Sequence, residues 1–168
     1  HISEETLLYK TEEKINFIKL NSIKDDFKKL LEQTTDTKGL EEKCQKFFTE
    51  NSWIFSNVLS TPVAFLKGKA YVGGKTIQNK DGREADFLYK NNLTKNVFII
   101  EIKTPKKLLI DTTVAYRKPD VFSIGKELSG GLVQVLDQKD SLQKEFLNLS
   151  KGKFKSFNPK ALLIIGKI

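Results

Sequence analysis

The 168 residues contain no methionine, a single histidine at position 1 and a single cysteine at position 44. One terminal imidazole can support neither a histidine general base within a folded site nor a cluster of histidine metal ligands. One thiol excludes both an intrachain disulfide and a cysteine-rich zinc site. Cys44 falls at an apolar position of a helical pattern and reads as a buried core thiol. No apolar run approaches the ~18 residues of a membrane-spanning helix, and no signal-peptide pattern opens the chain, so a soluble, cytoplasmic protein is expected. The lack of methionine and the apolar run at 161–168 suggest a segment of a longer protein.

What the chain has in quantity is lysine. Lys and Arg number 29 against 21 Asp and Glu, a net charge of +8, which suits a polyanionic partner such as nucleic acid. The same excess also suits an acidic protein surface. Hydrophobic residues at 39% are enough, over this length, for one domain with a real core and an appendage.

The stretch from Gly82 to Pro105 concentrates the chemistry. Two apolar runs, Arg83–Tyr89 and Val97–Ile102, flank the polar connection Lys90–Asn96, the pattern of two antiparallel strands joined by a loop. Strand alternation puts Val97, Ile99, Glu101 and Lys103 on one face and Phe98, Ile100 and Ile102 on the other. Glu101 and Lys103 then stand roughly 7 Å apart along the strand. A loop symmetric about residues 93 and 94 sets Asp86 opposite Glu101 on that face, whereas a slip of one residue sends it to the other. Two carboxylates in so apolar a setting need a counter-charge or a metal. Mg²⁺, a hard cation with oxygen ligands, removes their repulsion. Lys103 can then position water or stabilise charge on a phosphate. The plainer reading of Glu101 and Lys103 is a structural ion pair on a half-exposed strand.

Asp86 followed by Glu101-Ile102-Lys103 resembles the PD-(D/E)xK nuclease signature, with Ala85 in place of its proline. Upstream, Glu41–Phe55 (EEKCQKFFTENSWIF), and downstream, Leu128–Leu136 (LSGGLVQVL), extend the likeness over about residues 38–168 to the nuclease domain of Shedu-type antiphage defence proteins. The resemblance implies an α+β fold, an αβββαβ restriction-endonuclease-like core with a mixed sheet flanked by helices. It implies Mg²⁺ or Mn²⁺ held by Asp86, Glu101 and the Ile102 carbonyl, with Lys103 as the catalytic amine. It further implies a helix-borne glutamate at the site and a helix glutamine beside it, carried here to Gln134. Its remaining implications are DNA as substrate, phage defence as role and a homo-oligomer as context.

The rest of the chain fits that order. Residues 1–36 form a helical extension, with Asn21-Ser22 as an interruption or a second cap, and 37–168 the nuclease-like domain. From 40 to 50 a helix is expected, with Leu40, Cys44, Phe47 and Phe48 as its apolar stripe. At ~100° per residue, Glu41 lies at the edge of that stripe and Glu42 on the far side; Gln45 is four residues on. Trp53-Ile54-Phe55 reads as core. A first strand is expected over 61–72 and one long helix over 126–149, with Leu128, Leu132, Leu136, Phe146 and Leu149 inward and Gln134 and Gln138 on a shared face. Asn158-Pro159 marks a break before a buried strand at 161–166. Lys106, Lys107, Arg117 and Lys118, in the long connection 104–125, either hold a phosphodiester backbone or merely solubilise a loop. The functional expectation is a Mg²⁺-dependent DNA endonuclease. Its rivals are a catalytically silent nucleic-acid-binding module of the same fold and a basic protein-interaction domain.

Overall fold

Asn91 closes the hairpin at the centre of the molecule. Its side-chain oxygen accepts the N–H groups of Leu93 and Thr94, each at 2.8 Å, and its amide donates to Thr61 Oγ1 at 2.7 Å. Lys95 takes the left-handed conformation that completes the turn (φ +64°). In this computed structural model, which describes residues 4–33, 38–78 and 80–166, the turn joins β2 (Arg83–Asn91) to β3 (Asn96–Ile102). The register runs from Lys90↔Val97 to Phe87↔Ile100, which is the symmetric pairing about residues 93 and 94.

β1 (Val63–Gly73) pairs antiparallel with β2, and β6 (Lys155–Ile164) pairs parallel with β3, giving a mixed sheet of order β1-β2-β3-β6. Helices cover both faces. α2 (Lys38–Glu50) and α3 (Trp53–Val58) lie on one side. There Leu40, Cys44, Phe47, Phe48 and Phe55 enclose Phe87, Tyr89, Phe98, Ile100 and Ile102. On the other side α4 (Lys126–Lys144) covers Ala70, Val72, Leu88, Val97 and Ile99. The period-two alternation of β3 is therefore realised, and the order helix, three strands, helix, strand is the expected αβββαβ core. Burial raises the pKa of the Cys44 thiol, and the Glu41 charge raises it further, as befits a core cysteine.

α1 (Glu4–Leu31) is one uninterrupted helix; Asn21 is not a break but accepts from Lys24 one turn on, at 3.2 Å. Its second half lays Ile23, Phe27 and Leu30 on the aromatic cluster of α2, while Leu7, Leu8, Ile15 and Ile18 are exposed. The boundary expected at residues 36 and 37 lies outside the described residues.

Other expectations are corrected. The helix at 126–149 is two, α4 and a short α5 (Phe146–Ser150), broken at Glu145. Leu132 and Leu136 are each 51% exposed; the buried stripe of α4 is Gly131, Val135, Gln138, Ser141 and Leu142. Asn158-Pro159 does not precede the last strand but lies within it. Asn158, at φ +53°, accompanies a register shift against β3 that carries the proline past the ladder. That strand is an edge strand with half-buried residues at 161–166, because β3 lies on one side of it and, among the described residues, no strand lies on the other. Trp53 is partly exposed, and Phe55 alone of its triplet is fully buried. The connection at 104–125 is structured: β4 (Ile110–Asp111) and β5 (Ser123–Ile124) form a short ladder, extended by the Arg117↔Val121 bridge into an exposed arm. Among the described residues, no helix is long and apolar enough to cross a membrane.

Candidate active site

The hairpin ladder ends at Phe87↔Ile100, and one further step sets Asp86 across from Glu101. There the Asp86 side chain takes over a backbone role, with Oδ2 accepting the Ile102 N–H at 2.8 Å. The alternation of β2 slips at this point. Phe87 and Tyr89 face α2, as alternation requires, but Ala85 joins Leu88 beneath α4. The two acids are consequently reached from opposite sides of the sheet, not from one shared face. From α2, Gln45 Nε2 donates to Asp86 Oδ1 at 2.7 Å. From α4, Gln134 Nε2 donates to Glu101 Oε1 at 2.7 Å and Gln138 Nε2 to Glu101 Oε2 at 2.9 Å.

Each acid also has an amine. Lys103 Nζ lies 2.8 Å from Glu101 Oε1. Lys69, on β1, stands 3.4 Å from Asp86 Oδ1. Both carboxylates are buried, Asp86 at 8% and Glu101 at 3% exposure. The amines form the open side: the Lys103 side chain is 20% exposed and that of Lys69 64%. The Asp86 carboxyl is raised above the ordinary range, chiefly by desolvation and further by the Glu101 charge. The Ile102 N–H and Lys69 pull in the other direction.

Glu41 enters at one remove, with Oε1 3.4 Å from Gln45 Nε2. It is half-buried at the edge of the α2 stripe, whereas Glu42 is exposed. Lys106 and Lys107 follow the end of β3 and line a groove of about 380 Å³ with Ile110, Asp111 and Lys126; Lys107 lies 3.8 Å from Glu127. Arg117 and Lys118 are exposed on the β4–β5 arm. Three residues that hold the acids were not assigned to the site from sequence. Gln138 carries the spacing signal, four residues after Gln134, and Gln45 stands four after Glu41. Lys69 carries none, since only the β1–β2 register sets it opposite Asp86.

Among the described residues, no three His, Cys, Asp or Glu side chains gather as a metal cage. The donor set nevertheless suits a hard cation that keeps most of its water and takes one or two carboxylates. A carboxylate offers about four lone-pair positions. Asp86 accepts from Ile102, Gln45 and Lys69, and Glu101 from Lys103, Gln134 and Gln138. Each therefore has acceptor capacity left.

Fold and site together define an α+β domain with a buried acidic pair, braced by glutamines and fringed by lysines, at the end of a mixed sheet. Residues 38–168 match the family model for the C-terminal region of the Shedu protein SduA, and the chain belongs to that family. It is 41% identical over 119 residues to the Shedu protein SduA of Bacillus cereus (strain B4264). That alignment covers 71% of this chain and 31% of the relative, so the chain spans under a third of that protein's length.

Proposed function

We propose that the chain carries a Mg²⁺- or Mn²⁺-dependent nuclease site that hydrolyses phosphodiester bonds in DNA, as part of a defence protein acting against bacteriophage. What supports this reading is that Asp86 accepts the N–H of Ile102, the residue after Glu101, with both acids buried and Lys103 in contact with Glu101. Asp86, Glu101 and the Ile102 carbonyl would hold the cation. When bound, such an ion offsets the charge of the acids and activates water and phosphate oxygens.

The protein's own residues do the remainder. Gln134 and Gln138 fix both oxygens of Glu101, and Gln45 and the Ile102 N–H fix those of Asp86; rigid ligands of this kind bind without reorganising. Lys103, pinned to Glu101 yet partly open to solvent, supplies an ammonium for negative charge developing on a phosphate. Glu41 orients the Gln45 amide. Lys106, Lys107, Arg117 and Lys118 supply positive charge beyond the site, consistent with a backbone held without reading sequence. A homo-oligomer is the expected assembly in the longer protein.

The test is incubation of the purified protein with duplex DNA and Mg²⁺ or Mn²⁺, alongside Lys103→Ala and Glu101→Ala. Loss of cleavage in both variants is expected. Cleavage that persists in both removes the assignment.

A further inference from the structure

Lys69 sits in the sequence Lys67-Gly68-Lys69 within β1, with φ +48°. Long side chains seldom occupy that left-handed region. The ladder holds it there. Gly68↔Phe87 and Ala70↔Ala85 flank the position and set Lys69 directly across from Asp86. Its ammonium stands 3.4 Å from Asp86 Oδ1 on a side chain that is 64% exposed. The contrast with Lys103 is sharp: 2.8 Å from Glu101 and 20% exposed. One amine is pinned, the other loosely held. Of the donors described on Asp86, the Ile102 N–H and the Gln45 amide belong to the packed framework, and Lys69 is the one that is both charged and open to solvent.

We infer that Lys69 is an exchangeable counter-ion: it neutralises Asp86 until a divalent cation takes that carboxylate, then turns its ammonium to a phosphate of the nucleic-acid backbone crossing the site. The inference rests on the metal-site reading above and extends it to a residue outside the signature. Its physical basis is competition. An ammonium and a divalent cation at one carboxylate repel each other, and the exposed four-carbon stem of lysine leaves at little cost. Metal binding must then displace the pair, which weakens it, and the displaced charge makes metal and polyanion bind cooperatively.

Calorimetric titration of Mn²⁺ into the full chain tests the first half. The variants are Lys69→Asn, which is neutral and tolerates a positive φ, Lys69→Arg, which keeps the charge, and Asp86→Asn; circular dichroism checks the fold of each. Lys69→Asn should bind Mn²⁺ about two- to fivefold tighter than the unaltered protein, the range set by an exposed ion pair. Lys69→Arg should bind as the unaltered protein does, and Asp86→Asn should lose the site. The second half is read from the salt dependence of duplex DNA binding in a Lys103→Ala background. With Mn²⁺ present, adding Lys69→Asn should lower the slope of log K against log [salt] by about 1; in EDTA the slopes should coincide. Unchanged or weaker Mn²⁺ affinity in a folded Lys69→Asn, with Asp86-dependent binding intact, overturns the counter-ion role alone. Equal slopes with Mn²⁺ present overturn the transfer to phosphate. Absence of Asp86-dependent Mn²⁺ binding in the unaltered chain overturns the metal site itself, and the inference with it.

Discussion

Gln138 Nε2 lies 2.9 Å from Glu101 Oε2 and 2.8 Å from the Glu84 carbonyl oxygen, so one buried amide ties α4 to both strands of the hairpin. Among the described residues its own Oε1 has no hydrogen-bond partner. An orphaned buried acceptor is costly, and it persists because the two bonds from Nε2 fix the orientation of the amide. The acid on β3 is thus held in place by a residue whose hydrophobic neighbours on α4, Val135 and Leu142, are core.

Replacing Gln138 with leucine keeps the volume and removes both donors. Glu101 Oε2 and the Glu84 carbonyl are then left buried without that partner, at a cost of about 1–3 kcal/mol. Urea unfolding monitored by circular dichroism should show the loss as a lower midpoint at unchanged slope. A change within about 0.5 kcal/mol, the range of ordinary surface substitutions, would mean that the amide is not holding the acid.

Asp86 gives the site a pH signature. Desolvation foremost, with the Glu101 charge adding to it, raises its carboxyl above the ordinary value of 3.8. Between the unfolded and the folded pKa the native state binds more protons than the unfolded chain, so stability from this group falls as pH rises through that window. Thermal melts in EDTA across pH 4 to 8 should show Asp86→Asn gaining on the unaltered protein as pH rises, then holding a constant lead. Mg²⁺ should reverse the order by stabilising the unaltered protein alone, by about 2.7 kcal/mol at a hundredfold excess over Kd. A lead that shrinks with rising pH would contradict the burial of an ionised Asp86.

The hairpin was legible because two apolar runs flanking a polar connection and the alternation of residues 97–102 are local signals, and the symmetric register assumed for it is the one that forms. Asp86, Glu101 and Lys103 were singled out by the symmetric register together with the resemblance to the nuclease signature, whereas the slip in β2 that parts the two acids' faces has no local signal. The inward face of α4 was not legible, because its buried stripe carries Gly131, Gln138 and Ser141 while Leu132 and Leu136 face outward. Hydrophobicity points the wrong way when a helix packs its polar side on buried carboxylates. Lys69 was invisible for another reason. Its place opposite Asp86 depends on β1–β2 pairing across a register shift between Phe65 and Lys67, and no local pattern encodes that.

Adjacent glycines on α4 separate propensity from packing. A Cβ at Gly130 meets nothing within 4 Å, whereas at Gly131 it comes within 3.1 Å of Leu163 on β6. Gly130→Ala should therefore stabilise the protein by about 1 kcal/mol through helix propensity. Gly131→Val must displace the Leu163 side chain or shift α4 and should cost about 1–3 kcal/mol, with Glu101 losing alignment to Gln134 and Gln138 where the helix moves. Denaturation midpoints for the pair read both signs. Equal gains at the two positions would show that α4 does not press on β6.

Glu41 and Glu42 are neighbours with opposite surroundings, which makes them a controlled comparison. The Gln45 amide nitrogen lies 2.7 Å from Asp86 Oδ1 and 3.4 Å from Glu41 Oε1, so Glu41 helps keep the NH₂ end, rather than the carbonyl end, turned toward the acid. Glu42 is exposed. Glu41→Ala frees the amide to rotate, and a carbonyl oxygen presented to Asp86 would repel it. A supporting residue of this kind is typically worth about 10–100-fold in metal affinity; the long Glu41–Gln45 contact places the expected loss near the lower end. Calorimetry with Mn²⁺ should therefore find Glu41→Ala about tenfold weaker and Glu42→Ala unchanged. Equal affinities for the two variants would remove Glu41 from the site and leave Gln45 as the sole link from α2 to the acidic pair.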